Sequence, residues 1–122
     1  MKVRIQGNSI RMRLSKSNVE QLIAQGVWTE QIAWGAEKLC YSVERDEDAT
    51  QMTSTFIDNK ITIHIPKSFL EDWDINDIVG FSEEQSLPND NILYILVEKD
   101  FKCTDNTNQD QSDFYENPNL IC

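Results

Sequence analysis

The chain repeats itself, and that limits its fold more than any other feature of the 122 residues. Asn8, Ile10, Lys16, Ser17 and Glu20 recur as Asn59, Ile61, Lys67, Ser68 and Glu71 at a constant offset of 51, and Met12 and Leu14 meet Ile63 and Ile65. Leu39–Asp46 (LCYSVERD) is then echoed by Leu93–Asp100 (LYILVEKD) at an offset of 54. Three extra residues, assigned to the loop 86–91, account for the change. Recurrence of this kind marks a small unit that cannot bury its apolar face alone and needs a neighbour. The expected domain is residues 1–100, made of two repeats at about 1–48 and 51–100, followed by a polar tail at 101–122.

Each repeat reads as strand, turn, strand, short helix, strand, strand. Val3 and Ile5 alternate with Lys2 and Arg4, Gly7-Asn8-Ser9 is turn chemistry, and Ile10, Met12 and Leu14 alternate with Arg11 and Arg13. Ser15 caps the next segment, Ser17 and Glu20 have capping-box spacing, and Val19, Leu22 and Ile23 share a helical face before Gly26. Strands are expected at Val27–Trp34, with Trp28, Ile32 and Trp34 on one face as core or interface, and along Leu39, Tyr41 and Val43. The second half offers Met52–Ile57, a turn at Asp58-Asn59, an inward row of Ile61, Ile63 and Ile65, and a helix opened by Pro66. Phe69, Leu70 and Trp73 form that helix's buried face. A strand over Ile75–Phe81, a polar loop over Ser82–Asn91 and a last strand over Ile92–Glu98 complete the domain. The last strand is apolar on both faces, so it is either central in a sheet or covered.

The net charge of −10 is unevenly spread. Residues 1–19 hold Lys2, Arg4, Arg11, Arg13 and Lys16 and no acid, residues 20–100 hold 17 acids against 5 bases, and residues 101–122 add −3. The global charge repels nucleic acid at long range, although a local basic ribbon can still bind it. Three cysteines without framework spacing suit a reducing compartment. No apolar run reaches the roughly 20 residues that span a bilayer, and the alternating N-terminus is unlike a signal peptide. A soluble, cytoplasmic protein with no membrane partner is expected.

Two resemblances attach to these residues. Gly7-Asn8-Ser9 with Arg13-Leu14-Ser15, and Ile61-Thr62-Ile63-His64-Ile65-Pro66 with Lys67, resemble the hairpin and strand–helix steps of the AbrB and MazE families. The whole chain also resembles a family of small bacterial proteins of unknown function that open Met-Lys-x-Arg-Ile-Gln-Gly-Asn-Ser-Ile-Arg and contain Val-Glu-Lys-Asp-Phe-x-Cys. The first resemblance implies an α+β fold in which internally duplicated units form a small AbrB-like swapped-hairpin β-barrel. Here one chain would hold both copies, as a monomeric pseudo-dimer or a further homodimer. It also implies a DNA-binding regulator or antitoxin using Lys2, Arg4, Arg11, Arg13 and Lys16. The second copy departs from that pattern, with Thr62 and His64 where Arg11 and Arg13 stand in the first.

The favoured expectation is a non-enzymatic cytosolic regulatory or protein-interaction module. Its protein partner is met by the final strand or by the tail, whose apolar anchors are Phe114, Tyr115, Leu120 and Ile121. The alternative for the tail is that it folds back over the outer face of Ile92–Val97. A third reading pairs Cys103 with Cys122 as a disulfide or half of a metal site, though zinc normally takes four ligands and the tail has no histidine. His64 points outward without an assignable partner, Glu44 and Glu98 read as solvated strand ends, and Cys40 reads as a packed strand residue. No phosphate loop or Cys-x-x-Cys occurs, so no cofactor and no catalytic residue is expected.

Overall fold

The computed structural model describes residues 1–102 and 112–116. The strands are β1 (Lys2–Gln6), β2 (Ser9–Leu14), β3 (Val27–Trp34), β4 (Glu37–Asp46), β5 (Thr53–Ile57), β6 (Lys60–Pro66), β7 (Gly80–Ser86) and β8 (Ile92–Lys99). Helix α1 (Lys16–Gln25) lies between β2 and β3, and the single-turn α2 (Lys67–Leu70) follows β6. Two four-stranded sheets result, with orders β1-β2-β8-β7 and β3-β4-β6-β5. The fold is mixed α+β and mostly strand.

Each sheet joins a hairpin from the first half of the chain to one from the second. The inner pairs, β2 with β8 and β4 with β6, run parallel, and the outer pairs run antiparallel. Parallel pairing needs a long connection; here intervening hairpins and helices supply it. Because the parallel strands start together, the β1–β2 and β7–β8 connections share one end of their sheet, and the β3–β4 and β5–β6 turns share one end of theirs.

The core lies between the sheets. Ile10, Met12 and Leu14 from β2, Ile95 and Val97 from β8, Val43 from β4, and Ile63 and Ile65 from β6 are all buried. Val19 and Leu22 of α1, with Leu70 and Trp73 at α2, close the end away from the turns. Each such side chain contributes about 1.5–3 kcal/mol by leaving water. The final strand is apolar on both faces because it is central, flanked by β2 and β7.

The ladders correspond residue by residue. Ser9 faces Tyr94 and Lys60 faces Cys40, pairs related by the offsets 51 and 54 read from the sequence. Thr29 faces Ser42 and Ser82 faces Leu96, which puts β7 at an offset of 53 from β3. Two of the three extra residues therefore enter between α2 and β7, and only one in the β7–β8 loop, where the sequence reading had put all three. Contacts beyond the ladders correspond too. The Arg45 amide donates to Gly26 O (2.8 Å) and its Nη1 to Ile23 O (2.9 Å); the Lys99 amide donates to Val79 O (2.9 Å) and its Nζ to Asn76 O (2.7 Å).

Several expectations are corrected. No closed barrel forms: among the described residues no backbone ladder connects the two sheets. At the β5/β7 edges the inward-pointing side chains of Glu83 and Gln85 stand where a neighbouring backbone would be. The capping box on α1 is closed by Asn18 with Ser15, not by Ser17 with Glu20. The strand expected at Ile75–Phe81 begins only at Gly80 and runs to Ser86, through residues read as loop. Ile75, Ile78 and Val79 are exposed instead. Strand β7 has a solvated outer face of Ser82, Glu84 and Ser86, so pairing with β8 fixed it rather than its own hydropathy. Gly80 is required there, since a Cβ would sit 2.4 Å from Val97 O and 2.8 Å from Glu98 Cα.

Candidate functional site

The basic hairpin forms, but acids answer most of it. Arg11 and Arg13 stand on the outer face of β2, and both reach Glu98 on β8, at 3.6 and 2.7 Å. Lys2 pairs with Asp100 (3.0 Å) and lies 4.5 Å above the Phe114 ring. Lys16 sits over Tyr115. Arg4 donates only to Gln6 Oε1 (3.3 Å) and has no carboxylate partner among the described residues. Glu98, read as a solvated strand end, is thus the acid that neutralises the ribbon. A shallow depression of about 630 Å³ on this face, edged by Arg11, Glu84 and Tyr94, carries both signs of charge.

The described part of the tail is docked on its own domain at the end away from the turns. Asp113 accepts from the Ser17 amide (3.1 Å) and Oγ (2.5 Å) at the start of α1. The Ser17 hydrogen bond holds the Asp113 carboxyl below its ordinary range, as a helix N-terminus also favours. Phe114 is buried, and Tyr115 pairs with Phe101, its amide donating to Asp100 O (2.7 Å). Partner contact through Phe114 or Tyr115 would need this segment to leave. Nor do these residues lie over the outer face of Ile92–Val97, where a fold-back was considered. Leu120, Ile121, Cys103 and Cys122 lie outside the described residues. Among those described, no cluster of three His, Cys, Asp or Glu side chains could hold a metal, and no helix is long and apolar enough to cross a membrane.

Two buried polar groups, the Lys99 side chain and the Tyr115 hydroxyl, adjoin a cleft of about 620 Å³ edged by Lys16, Asp74 and Asp77. Burial lowers the Lys99 pKa and raises that of Tyr115 to about 12. Lys99 is engaged as Arg45 is, donating to a carbonyl past the helix, so its burial has a structural cause. Among the described residues the His64 side chain meets Thr55 Oγ1 (3.2 Å), and Cys40 Sγ lies 3.8 Å from Gln31 Oε1.

A mainly apolar feature lies at the turn end, where the inner faces of the two sheets open. A mouth of about 260 Å³ is lined by Ile5, Ile10, Leu39, Phe56, Ile61 and Leu93. These pair off by the same offsets: Ile5 with Phe56, Ile10 with Ile61, Leu39 with Leu93. Ile5 is 64% exposed and Phe56 66%. Ile32, opposite Leu39 in the ladder, and Trp34 on the same face extend the apolar surface, Trp34 at 63% exposure. Soluble proteins seldom leave large side chains grouped this way unless something docks there. The sequence reading placed Trp34 at a core or interface and missed Ile5 and Phe56 as surface. The available signal was position: each is the last inward residue before a hairpin turn, where core depth runs out.

The two seams between the sheets differ. At β5/β7, Gln85 accepts from Ser54 N (2.7 Å) and donates to Ser54 O (3.2 Å), as a neighbouring peptide group would. Met52 N donates to Glu83 Oε1 (3.2 Å). At β1/β3 the Met1 amino group meets Glu30 Oε2 (2.6 Å), which also accepts from Trp28 Nε1 (2.7 Å). Beyond that point the offsets make Val3 the counterpart of Ser54 and Ile32 the counterpart of Gln85, and the Ile32 side chain can form no hydrogen bond.

A model of a family of unknown function, DUF7009, matches residues 1–119. No curated protein and no solved structure matches the chain.

Proposed function

The chain belongs to a family of unknown function, and from its geometry we propose that it is a non-enzymatic, cytoplasmic protein-interaction module that receives its partner at the turn-end mouth. The observation carrying this reading is the exposure of Ile5, Phe56 and Trp34, the first two lining a mainly apolar cavity that also includes Asn8, Ser9, Ser54 and Thr55. Such a surface gains free energy from excluding water on contact with a protein and offers no arranged acid, base or nucleophile. The scaffold is read as a duplicated unit with exchanged hairpins, an AbrB-like arrangement within one chain. Its support is the agreement of ladder registers and of the Arg45 and Lys99 contacts at matching offsets.

The reading as a DNA-binding regulator or antitoxin has less behind it. Glu98 and Asp100 engage three of the five bases, and phosphate affinity depends on how many cations are free to displace counterions. Absence of binding to any duplex at low salt would remove it.

A photo-crosslinking residue in place of Phe56, with a control in place of exposed Gln31 on the outer face of the same sheet, tests the main reading in native cells. Discrete adducts from position 56, none from position 31, and their loss on Ile5→Asp are expected. Equal adducts from both positions, or none from either, would refute it.

A further inference from the structure

We propose that the open β1/β3 seam accepts an extended strand from a partner protein, one that alternates apolar and acidic residues. This rests on the mouth being the docking end and goes further by naming the form of the ligand.

The molecule supplies the template. In the hairpin joined by Gly7-Asn8, Gln6 pairs with Ser9, so Lys2, Arg4 and Gln6 exchange hydrogen bonds with β2 while Val3 and Ile5 aim their N–H and C=O groups at the free edge. The matching hairpin joined by Asp58-Asn59 aims Ser54 the same way, and Ser54 finds both its partners in the side-chain amide of Gln85. What satisfies this edge is therefore an amide group held at strand spacing. The β1/β3 seam has Ile32 in that place, and among the described residues the outward groups of Val3 and Ile5 meet no acceptor or donor. An exposed edge with unpaired main-chain groups is a site for strand addition. A bound strand would present peptide amides to Val3 and Ile5.

Side chains set the composition of that strand. Successive residues of a strand point to opposite faces. Those directed inward would meet Ile5, Ile32 and Trp34 and so should be apolar. Those directed outward would lie beside Lys2 and Arg4 on β1. Lys2 is already paired with Asp100, whereas Arg4 has no carboxylate partner among the described residues. The charge complement of the outward position is therefore a carboxylate. A second copy of this chain is a weaker occupant, because its own β1 edge would set Arg4 and Lys2 against their like.

The probe is a six-residue peptide alternating glutamate and valine, blocked at both ends and added to the full chain. Tryptophan fluorescence follows binding, and amide exchange at Val3 and Ile5 reports edge pairing. Saturable binding with at least ten-fold slowing of exchange at those amides is expected. Ile32→Gln, which gives the open seam the amide of the closed one, should weaken binding at least ten-fold. Arg4→Glu should weaken the glutamate peptide by about ten-fold and favour a lysine–valine peptide. Methylation of alternate peptide nitrogens should abolish binding. Equal binding of the methylated peptide, indifference to Ile32→Gln, or no binding at millimolar peptide would each overturn the proposal. So would a concentration-dependent dimer lost with the same variants. Crosslinks from position 56 that persist in the Ile32→Gln protein would leave the mouth as a docking surface while sinking the strand.

Discussion

The seams at β5/β7 and β1/β3 occupy matching places, and one residue separates their behaviour. Gln85 closes the first by giving Ser54 both an acceptor and a donor; Ile32 leaves the second without either. The glutamates two residues away do the same task on both sides, Glu83 for Met52 and Glu30 for Met1. Matching frames can therefore carry different edges, one sealed and one available. The helices differ in the same spirit: α1 runs ten residues to a left-handed Gly26, while α2 ends after four. The basic face likewise belongs to one half only, since Thr62 and His64 replace the arginines.

The largest test of this comparison exchanges the residues at 27 and 80. Val27 sits at an open strand start, whereas Gly80 lies against the β8 backbone. Gly80→Val should cost about 3 kcal/mol or more, read from urea denaturation, because a backbone neighbour cannot move aside as a side chain would. Val27→Gly should cost far less, and equal costs would break the contrast. Opening the sealed seam comes next. Gln85→Ile removes two hydrogen bonds from Ser54 and should cost about 1–3 kcal/mol, with faster exchange of the Ser54 amide. The converse, Ile32→Gln, should add about 1 kcal/mol if its amide reaches Val3 as Gln85 reaches Ser54. No gain would mean the two edges are spaced differently.

The smallest effect concerns Tyr115, whose hydroxyl is buried without a hydrogen-bond partner among the described residues. Tyr115→Phe should be neutral or stabilising by up to about 1 kcal/mol at neutral pH. Burial first, then Asp74, Glu20 and Asp113, raises its pKa from 10.0 to about 12. Between those values the unfolded chain loses the phenolic proton while the folded one keeps it. Stability contributed by this group is present below pH 10 and falls as pH rises towards 12. Buried Lys99, with its pKa lowered, acts in the opposite direction as alkaline pH discharges it. The difference between wild type and Tyr115→Phe isolates the tyrosine, and parallel alkaline profiles would contradict its assignment.

Much of this was legible in the residues, and the failures have physical causes. Alternation found seven of the eight strands. It missed Gly80–Ser86 because a solvated edge strand has no obligatory apolar face, while Ile75, Ile78 and Val79 looked buried and are not. The basic residues were found, but not Glu98 as their acid, since its partner strand is 85 residues away from Arg13 in sequence. Phe114 was recognised as an anchor, but not that Lys2 and the start of α1 receive this stretch.

By itself, the amino-acid order determined the paired offsets, the inward rows Ile10–Leu14 and Ile61–Ile65, and the turns at Gly7, Gly26 and Asp58-Asn59. These depend on neighbours a few residues apart, through alternation and the backbone conformations each residue allows. Only the tertiary structure decided that each sheet joins hairpins distant in sequence, that Ile5 and Phe56 overhang the core, and that one seam is sealed and the other open. Those outcomes depend on which distant edges meet, and no local pattern encodes the meeting.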